Sequence, residues 1–428
     1  ARLLDVECKA YKHIFFLVYF RHSLFEITVK DVEEALIVNQ MEGEVGIDVW
    51  SHSLPGRPGL VLVSGEMKQQ IEDSLTAAGI EYKIDINNMK EKLDVEDQLL
   101  AAAAMRSNRS SIGLPFDTIH RYAVVDAYLV ELAQRFPNTV RVVSGGRSFQ
   151  GRDIKYLRIS TTNFQDQSKP VVFMESLLHC REWVGLAATL YAIEKLVIDV
   201  TEQDLVRDID WIIVPIANPD GYEFTHTSNR FWRKNRATGY VAGNVCLGVD
   251  LNRNFDHLWG TASSNNVCTD TFHGRGPFSE PETAIVRDIV LEHRNRLALF
   301  LDIHSFGSMI LYGFGNGVLP PNGLFIHVAG IRMAEAIDRV KWTSNPNYIV
   351  GNVRSILYAA SGSAQDYAQF TGATYSYTYE LPAYRNLNTM NGFLVDPDFI
   401  EQAGFETWEG IKAGARYALE NFRMMRRT

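Results

Sequence analysis

The chain has 428 residues, 46% of them hydrophobic and 22% charged, with a formal net charge of -9. This is globular composition with ample apolar surface to bury and room for more than one domain, which excludes global disorder. An acidic balance without a long Lys/Arg run argues against nucleic-acid binding, and no apolar stretch approaches the roughly 20 residues that cross a bilayer.

In chain order, "IFFLVYF" lacks a signal-type cleavage site and is expected to be a strand of a soluble domain. The runs "HSLFEITV", "GIDVW", "GLVLV" and "EYKIDI", with the amphipathic stretch "EMKQQIEDSLTAAGI" among them, predict a small α+β domain over residues 1–90. Residues 91–111 form a charged, Ala-rich, helix-favouring connector that ends in polar residues, with Arg106 and Arg109 on an expected exposed tip. Such tips are preferred sites of proteolytic nicking, and a plain interdomain linker fits the composition equally well. Over 112–428, "YLVELAQRF", "IKYLRIS", "PVVFME", "GLAATLYAIEKLVI", "WIIVPIAN", "TAIVRDIVLEHR", "LALFLDIHS", "YSYTYEL" and "WEGIKAGARYALENF" alternate strand and helix patterns. That order predicts an α/β domain on a central sheet.

Cys246 and Cys268 flank a loop rich in Asn, Ser and Gly, where a disulfide would restrain the excursion, and such a pair belongs to an oxidising, extracellular compartment. Cys8 and Cys180 are expected as free, partly buried thiols. The sequon at Asn108 adds little by itself.

Several apolar runs end in polar residues that make poor core: "PVVFME" leads to His179 and Glu182, "WIIVPIA" to "NPDGY", "LALFLDI" to His304, and "TYSYTY" to Glu380. Ligands of open α/β sheets bind outside the carboxyl ends of the strands, so these ends are expected to converge on one crevice. Two histidines and a carboxylate are the donor set of a catalytic zinc site. Taken singly, each histidine reads as a satisfied polar residue, and His-x-x-Glu alone is weak. The matching His304 at a second strand end strengthens it.

The segments "HCREW", "NPDGYEFTHTSNRFWRKNR", "GVDLNRNF", "IHSFGS", "LYAASGSAQDY" and "YSYTYEL" together resemble the zinc metallocarboxypeptidases of the digestive, pancreatic carboxypeptidase A/B type, in order from about residue 112 to the C-terminus. The preceding "DVWSHSLPGRPGLVLV" resembles that family's activation propeptide. The resemblance implies a central mixed eight-stranded sheet flanked by helices, one Zn2+ per chain held by His179, Glu182 and His304, and Asp250 hydrogen-bonded to the first histidine. It implies Glu380 as general base and Arg233 as the cation that stabilises the oxyanion. It further implies Asn252, Arg253 and Tyr358 as the clamp for the substrate's terminal carboxylate, with Arg181 as a further substrate contact.

Gln365, Thr378 and Gly315 are placed on the specificity pocket by the same resemblance. Gln365 stands where the family carries an acid for basic substrates or an aliphatic residue for apolar ones. A neutral floor removes the main support for basic specificity, so the expectation is release of neutral, mainly aliphatic or aromatic residues. Phe306 and Tyr367 replace the Tyr and Trp of close relatives and keep aromatic character. The expected protein is a secreted monomeric exopeptidase proenzyme acting on peptide and protein C-termini, activated by a trypsin-like cut near Arg106 or Arg109. The alternatives are a non-catalytic binder of C-terminal peptides on the same fold and a zinc amidohydrolase. Intact ligands and base count against the first, and the full clamp counts against the second.

Overall fold

The structure is a computed structural model and describes residues 19, 21–41, 46–106, 113–383 and 392–425. Of the expected N-terminal strand "IFFLVYF" only Tyr19 is described, as a buried turn residue; the rest of that run, Cys8, Asn108 and Arg109 lie outside the described residues.

The N-terminal part is a four-stranded sheet built from β1 (Ser23–Thr28), β2 (Ile47–Ser51), β3 (Gly59–Val63) and β4 (Glu81–Ile86), in the order β2-β3-β1-β4. Alternate side chains divide its two faces, as the period-2 pattern demands. Phe25, Ile27, Val61 and Val63 pack against the helices Val32–Gln40 and Lys68–Ala77 in a core of their own. Leu24, Trp50, Leu60 and Leu62 belong to the same hydrophobic cluster as the large C-terminal part. One sheet therefore serves two cores.

The C-terminal part carries an eight-stranded mixed sheet made of β5 (Val140–Arg147), β6 (Asp153–Ile159), β7 (Val171–Ser176), β8 (Asp210–Val214), β9 (Leu297–Ser305), β10 (Met309–Tyr312), β11 (Ile349–Asn352) and β12 (Tyr375–Leu381). Its order is β11-β10-β12-β9-β7-β8-β6-β5, and β12, β9, β7 and β8 run parallel. β7 and β9 are buried at every position, the mark of strands covered on both faces. The helix Trp183–Val197 is apolar nearly all round and lies deep in the molecule, whereas Pro397–Met425 is amphipathic and starts on a proline that fixes its first turn.

β5, β10, β11 and the helix Gly323–Asp338 were not among the runs that the sequence pattern singled out. β10 and β11 have four residues each, too short for a periodic signal. Gly330 reads as a helix breaker, yet a Cβ there would come within 2.7 Å of Val350, so the missing side chain lets the helix approach β11.

The connector also differs from a free tether. Residues 89–106 form one helix that starts inside the expected first domain. Met89, Leu93 and Glu96 on it are buried, because the helix lays an apolar edge on the C-terminal part.

Candidate active site

Parallel β7 and β9 lie side by side, so the turn after β7 and the end of β9 meet at one edge of the sheet. Leu177 leaves β7 with a left-handed φ of 60°, a strained conformation that the surrounding packing must hold. The turn then presents His179 and Glu182 just before the helix Trp183–Val197, while β9 ends in His304.

Donor atoms of His179, Glu182 and His304 lie within 4.8 Å of one another, and all three side chains are buried. Both histidines turn Nδ1 towards Glu182, at 3.0 Å from Oε1 and 2.8 Å from Oε2. Nε2 of His179 is 2.9 Å from Asp250 Oδ1. Two imidazoles and one carboxylate with converging lone pairs suit zinc, whose catalytic sites take three such ligands and leave a fourth position open.

The neighbours supply charge. Arg233 donates from Nε and Nη2 to Asp250 Oδ2 at 3.2 and 2.9 Å, and its Nη1 lies 4.0 Å from Glu182. Glu380 is the register partner of His304 across β12 and β9, which puts its carboxyl beside the donor cluster. Burial, then the Glu182 carboxylate, push it up to about 8. Arg253 donates to Tyr358 Oη at 3.2 Å and to the Asn252 carbonyl at 2.7 Å.

The site residues expected from the sequence are brought together unevenly. His179, Glu182, Arg233, Asn252, Arg253, His304, Tyr358, Gln365, Thr378 and Glu380 line one cavity. Asp250 stands behind it. Gly315 is not among the lining residues, and its N–H donates to Asp366 at 2.8 Å. Arg181 does not line the cavity either. Its guanidinium is held by Asp48 on β2 at 2.8 Å and by the Phe231 carbonyl at 3.2 Å. The Asn252 side chain turns away from the clamp to Asp302, His304 and the N–H of Ala364.

The "NPDGY" strand end does not join the crevice, contrary to expectation. Asn218 caps the helix Pro219–Thr227 through the Gly221 N–H, and Asp220 binds Ser148, the Gln150 N–H and Arg152. These are loop-fixing contacts. Cys180 is free but wholly buried, more so than expected, with Sγ 2.8 Å from the Trp232 carbonyl. Cys246 and Cys268 form the expected disulfide. Arg106 ends its helix and Arg109 is outside the described residues.

Sequence reasoning missed residues that reach in from the N-terminal part. Trp50, His52 and Arg57 line the same cavity. The Trp50 ring lies 4.6 Å from that of Phe231, tilted by 55°, and a Cβ on Gly392 would lie 2.6 Å from it; that glycine also takes φ 69°. The His52 ring sits 4.4 Å from Tyr358, and burial, then Arg253 and Arg233, push its pKa down to about 4. With these groups in place the cavity is about 110 Å³, well under the roughly 300 Å³ at the low end of small-ligand sites. No local signal in "WSHSLPGRP" announces a reach across a domain boundary. Glu175 and Asp302, both wholly buried, were missed because their strands read as core.

A mixed sheet with a buried His/Glu/His cluster at the ends of its parallel strands suits a metal-dependent enzyme on an α/β scaffold. Residues 125–410 match the family model of zinc carboxypeptidases, and residues 25–96 match that of the carboxypeptidase activation peptide. The chain belongs to the zinc carboxypeptidase family. Carboxypeptidase B of Helicoverpa zea is 44% identical over 383 residues, 88% of this chain and 89% of that protein. Carboxypeptidase A1 of Bos taurus is 31% identical over 412 residues, 94% of each. The crystal structure of the carboxypeptidase A from Helicoverpa armigera superposes with a TM-score of 0.92 at 64% identity, covering 94% of this chain and 98% of that one. The protein is thus a carboxypeptidase A/B-like proenzyme that hydrolyses C-terminal peptide bonds, and the non-catalytic and amidohydrolase alternatives give way.

Proposed function

We propose that the chain is a secreted, monomeric zinc exopeptidase zymogen that releases neutral, mainly aliphatic or aromatic residues from peptide and protein C-termini after a trypsin-like cut near Arg106 or Arg109. Residues 1–90, 91–111 and 112–428 are its propeptide domain, helical connector and catalytic domain. The observation that carries the reading is Glu380, placed by strand register beside a buried His179/Glu182/His304 donor cluster.

One zinc ion held by those three residues would polarise the scissile carbonyl and lower the pKa of a coordinated water to about 7. Glu380 takes a proton from the attacking water and hands it to the leaving amine. Arg233, anchored on Asp250, offers a fixed cation where the oxyanion develops. Asp250 holds the His179 tautomer. Arg253 and Tyr358 grip the terminal carboxylate, with Asn252 fixing Arg253 through its carbonyl. Arg181 becomes free for substrate once Asp48 leaves with the propeptide.

Gln365 and Thr378 line the pocket, and Gln365 Nε2 has no hydrogen-bond partner, so a neutral side chain with a polar edge is tolerated beside apolar ones. Gly315 stands behind the lining residue Ala360, where a Cβ would lie 2.1 Å from the Ala360 carbonyl oxygen. The Cys246–Cys268 disulfide supports an oxidising compartment, a digestive lumen by resemblance. No helix among the described residues is long and apolar enough to cross a membrane.

Blocked dipeptides ending in Phe, Leu, Gln, Lys, Glu or an amide test the reading, before and after limited trypsin treatment and with a chelator. The expected result is activity on Phe and Leu that appears after the cut, disappears with chelation and spares the amide. Activity confined to Lys, or unaffected by chelation, overturns it.

A further inference from the structure

We infer that Asp302 is a positioning residue for the second metal-binding histidine, so that both histidines of the centre are oriented by carboxylates; the inference rests on the metal centre proposed above. Asp302 lies on β9 two residues before His304, and alternate residues of a strand share a face. Its Oδ1 is 2.8 Å from His304 Nε2 and makes no hydrogen bond as the ring stands. Its other oxygen accepts from Asn252 Nδ2 at 3.1 Å, and Asn252 in turn accepts from the Ala364 N–H at 2.8 Å. The carboxylate is therefore aimed by a relay that ends on backbone.

The tautomer decides what Asp302 does. His304 turns Nδ1 to the donor cluster, and binding a metal there requires the lone pair of that nitrogen. The imidazole proton then sits on Nε2. Two groups reach Nε2: Asp302 Oδ1, and Asn252 Nδ2 at 3.0 Å. An amide nitrogen only donates, so it cannot receive that proton. Asp302 can, with a small turn of the ring towards the unpartnered Oδ1, and it would thereby select the metal-binding tautomer.

A structural role alone accounts poorly for the charge. Asp302 is wholly buried, and among the described residues no Lys or Arg is paired with it, whereas Asp250 has Arg233. An uncompensated carboxylate in a strand core is costly unless a partner cation is completed there. A carboxylate behind a ligand histidine raises the basicity of the ring and tightens its hold on a metal.

The test uses the full-length chain with zinc, comparing wild type, Asp302→Asn and Asp302→Ala by competition with a chromophoric chelator and by melting with and without the metal. The expected loss of zinc affinity is about 10–100-fold. Asp302→Ala should lose more than Asp302→Asn, whose amide oxygen still accepts from Nε2, and the metal-free melting temperature of Asp302→Asn should not fall. Zinc affinity within twofold of wild type in the folded variants overturns the inference. So does a drop in melting temperature that is equal with and without zinc. If Asp302→Ala does not fold, the isosteric Asn variant carries the comparison. Failure of the wild type itself to bind zinc would instead sink the proposed metal centre.

Discussion

Glu380 occupies a strand position that an apolar residue would fill at lower cost, and its neighbour in register is His304. Glu380→Gln keeps the shape and removes the proton acceptor. Its kcat should fall by about 10²–10⁴-fold while bound zinc stays stoichiometric, as read by turnover of a blocked Phe dipeptide and by metal analysis. An active Gln variant would remove Glu380 from the chemistry. At Gln365 the expectation runs the other way: Gln365→Asp puts a charge on the pocket lining, and the kcat/KM ratio for Arg over Phe substrates should rise at least about tenfold. Residues of this kind are legible in sequence when polar groups end an apolar run, as His179, Glu182, His304 and Glu380 do. Asp302 is hidden inside "LALFLDI", which reads as core, and its purpose is visible only once Asn252 arrives from a distant loop.

Among the elements, the helix Met89–Arg106 is joined to the catalytic part by the buried pair Glu96 and Arg230, at 2.9 and 3.2 Å, with Arg230 also 3.5 Å above the Trp183 ring. Glu96 further accepts from the Val395 N–H at 2.8 Å. Removing one partner strands the other charge in the interior, so Glu96→Ala should cost the uncleaved chain about 3–5 kcal/mol in urea unfolding. If the activating cut releases this helix, the processed enzyme should keep its kcat. Equal stability of the two zymogens would mean that the pair is worth no more than its hydrophobic surroundings. The sequence showed a charged Ala-rich helix here and could not show its partner, because Arg230 lies 134 residues away. Long periodic elements such as Pro397–Met425 announce themselves. The four-residue β10 and β11 exist because β12 and the helix Gly323–Asp338 give them something to pair with and pack on.

At the scale of the whole molecule, buried acids set the response to pH. Burial pushes Glu406, on the C-terminal helix, from 4.5 up to about 7, and Asp366 and Glu282 likewise up to about 7. A folded pKa raised above the unfolded one gives stability that is complete below about 4.5 and is lost as pH rises through 7. Glu406→Gln should therefore change little at pH 4 and stabilise by about 1–3 kcal/mol at pH 8, measured by denaturant unfolding at both. A gain that does not grow with pH contradicts this.

The N-terminal sheet serves two cores, one private and one held in common with the catalytic part. Cutting the chain at Arg106 or Arg109 severs a covalent link and leaves that common core intact. Cleavage and activation would then be separate events in time. After a brief pulse of trypsin and its quenching, activity should keep rising with a first-order lag that is independent of the protease dose and shortened by mild urea. Because its private core survives the separation, the released piece should remain folded and, added back in excess, slow the enzyme again. The zymogen would behave as a timer whose setting is a dissociation rate.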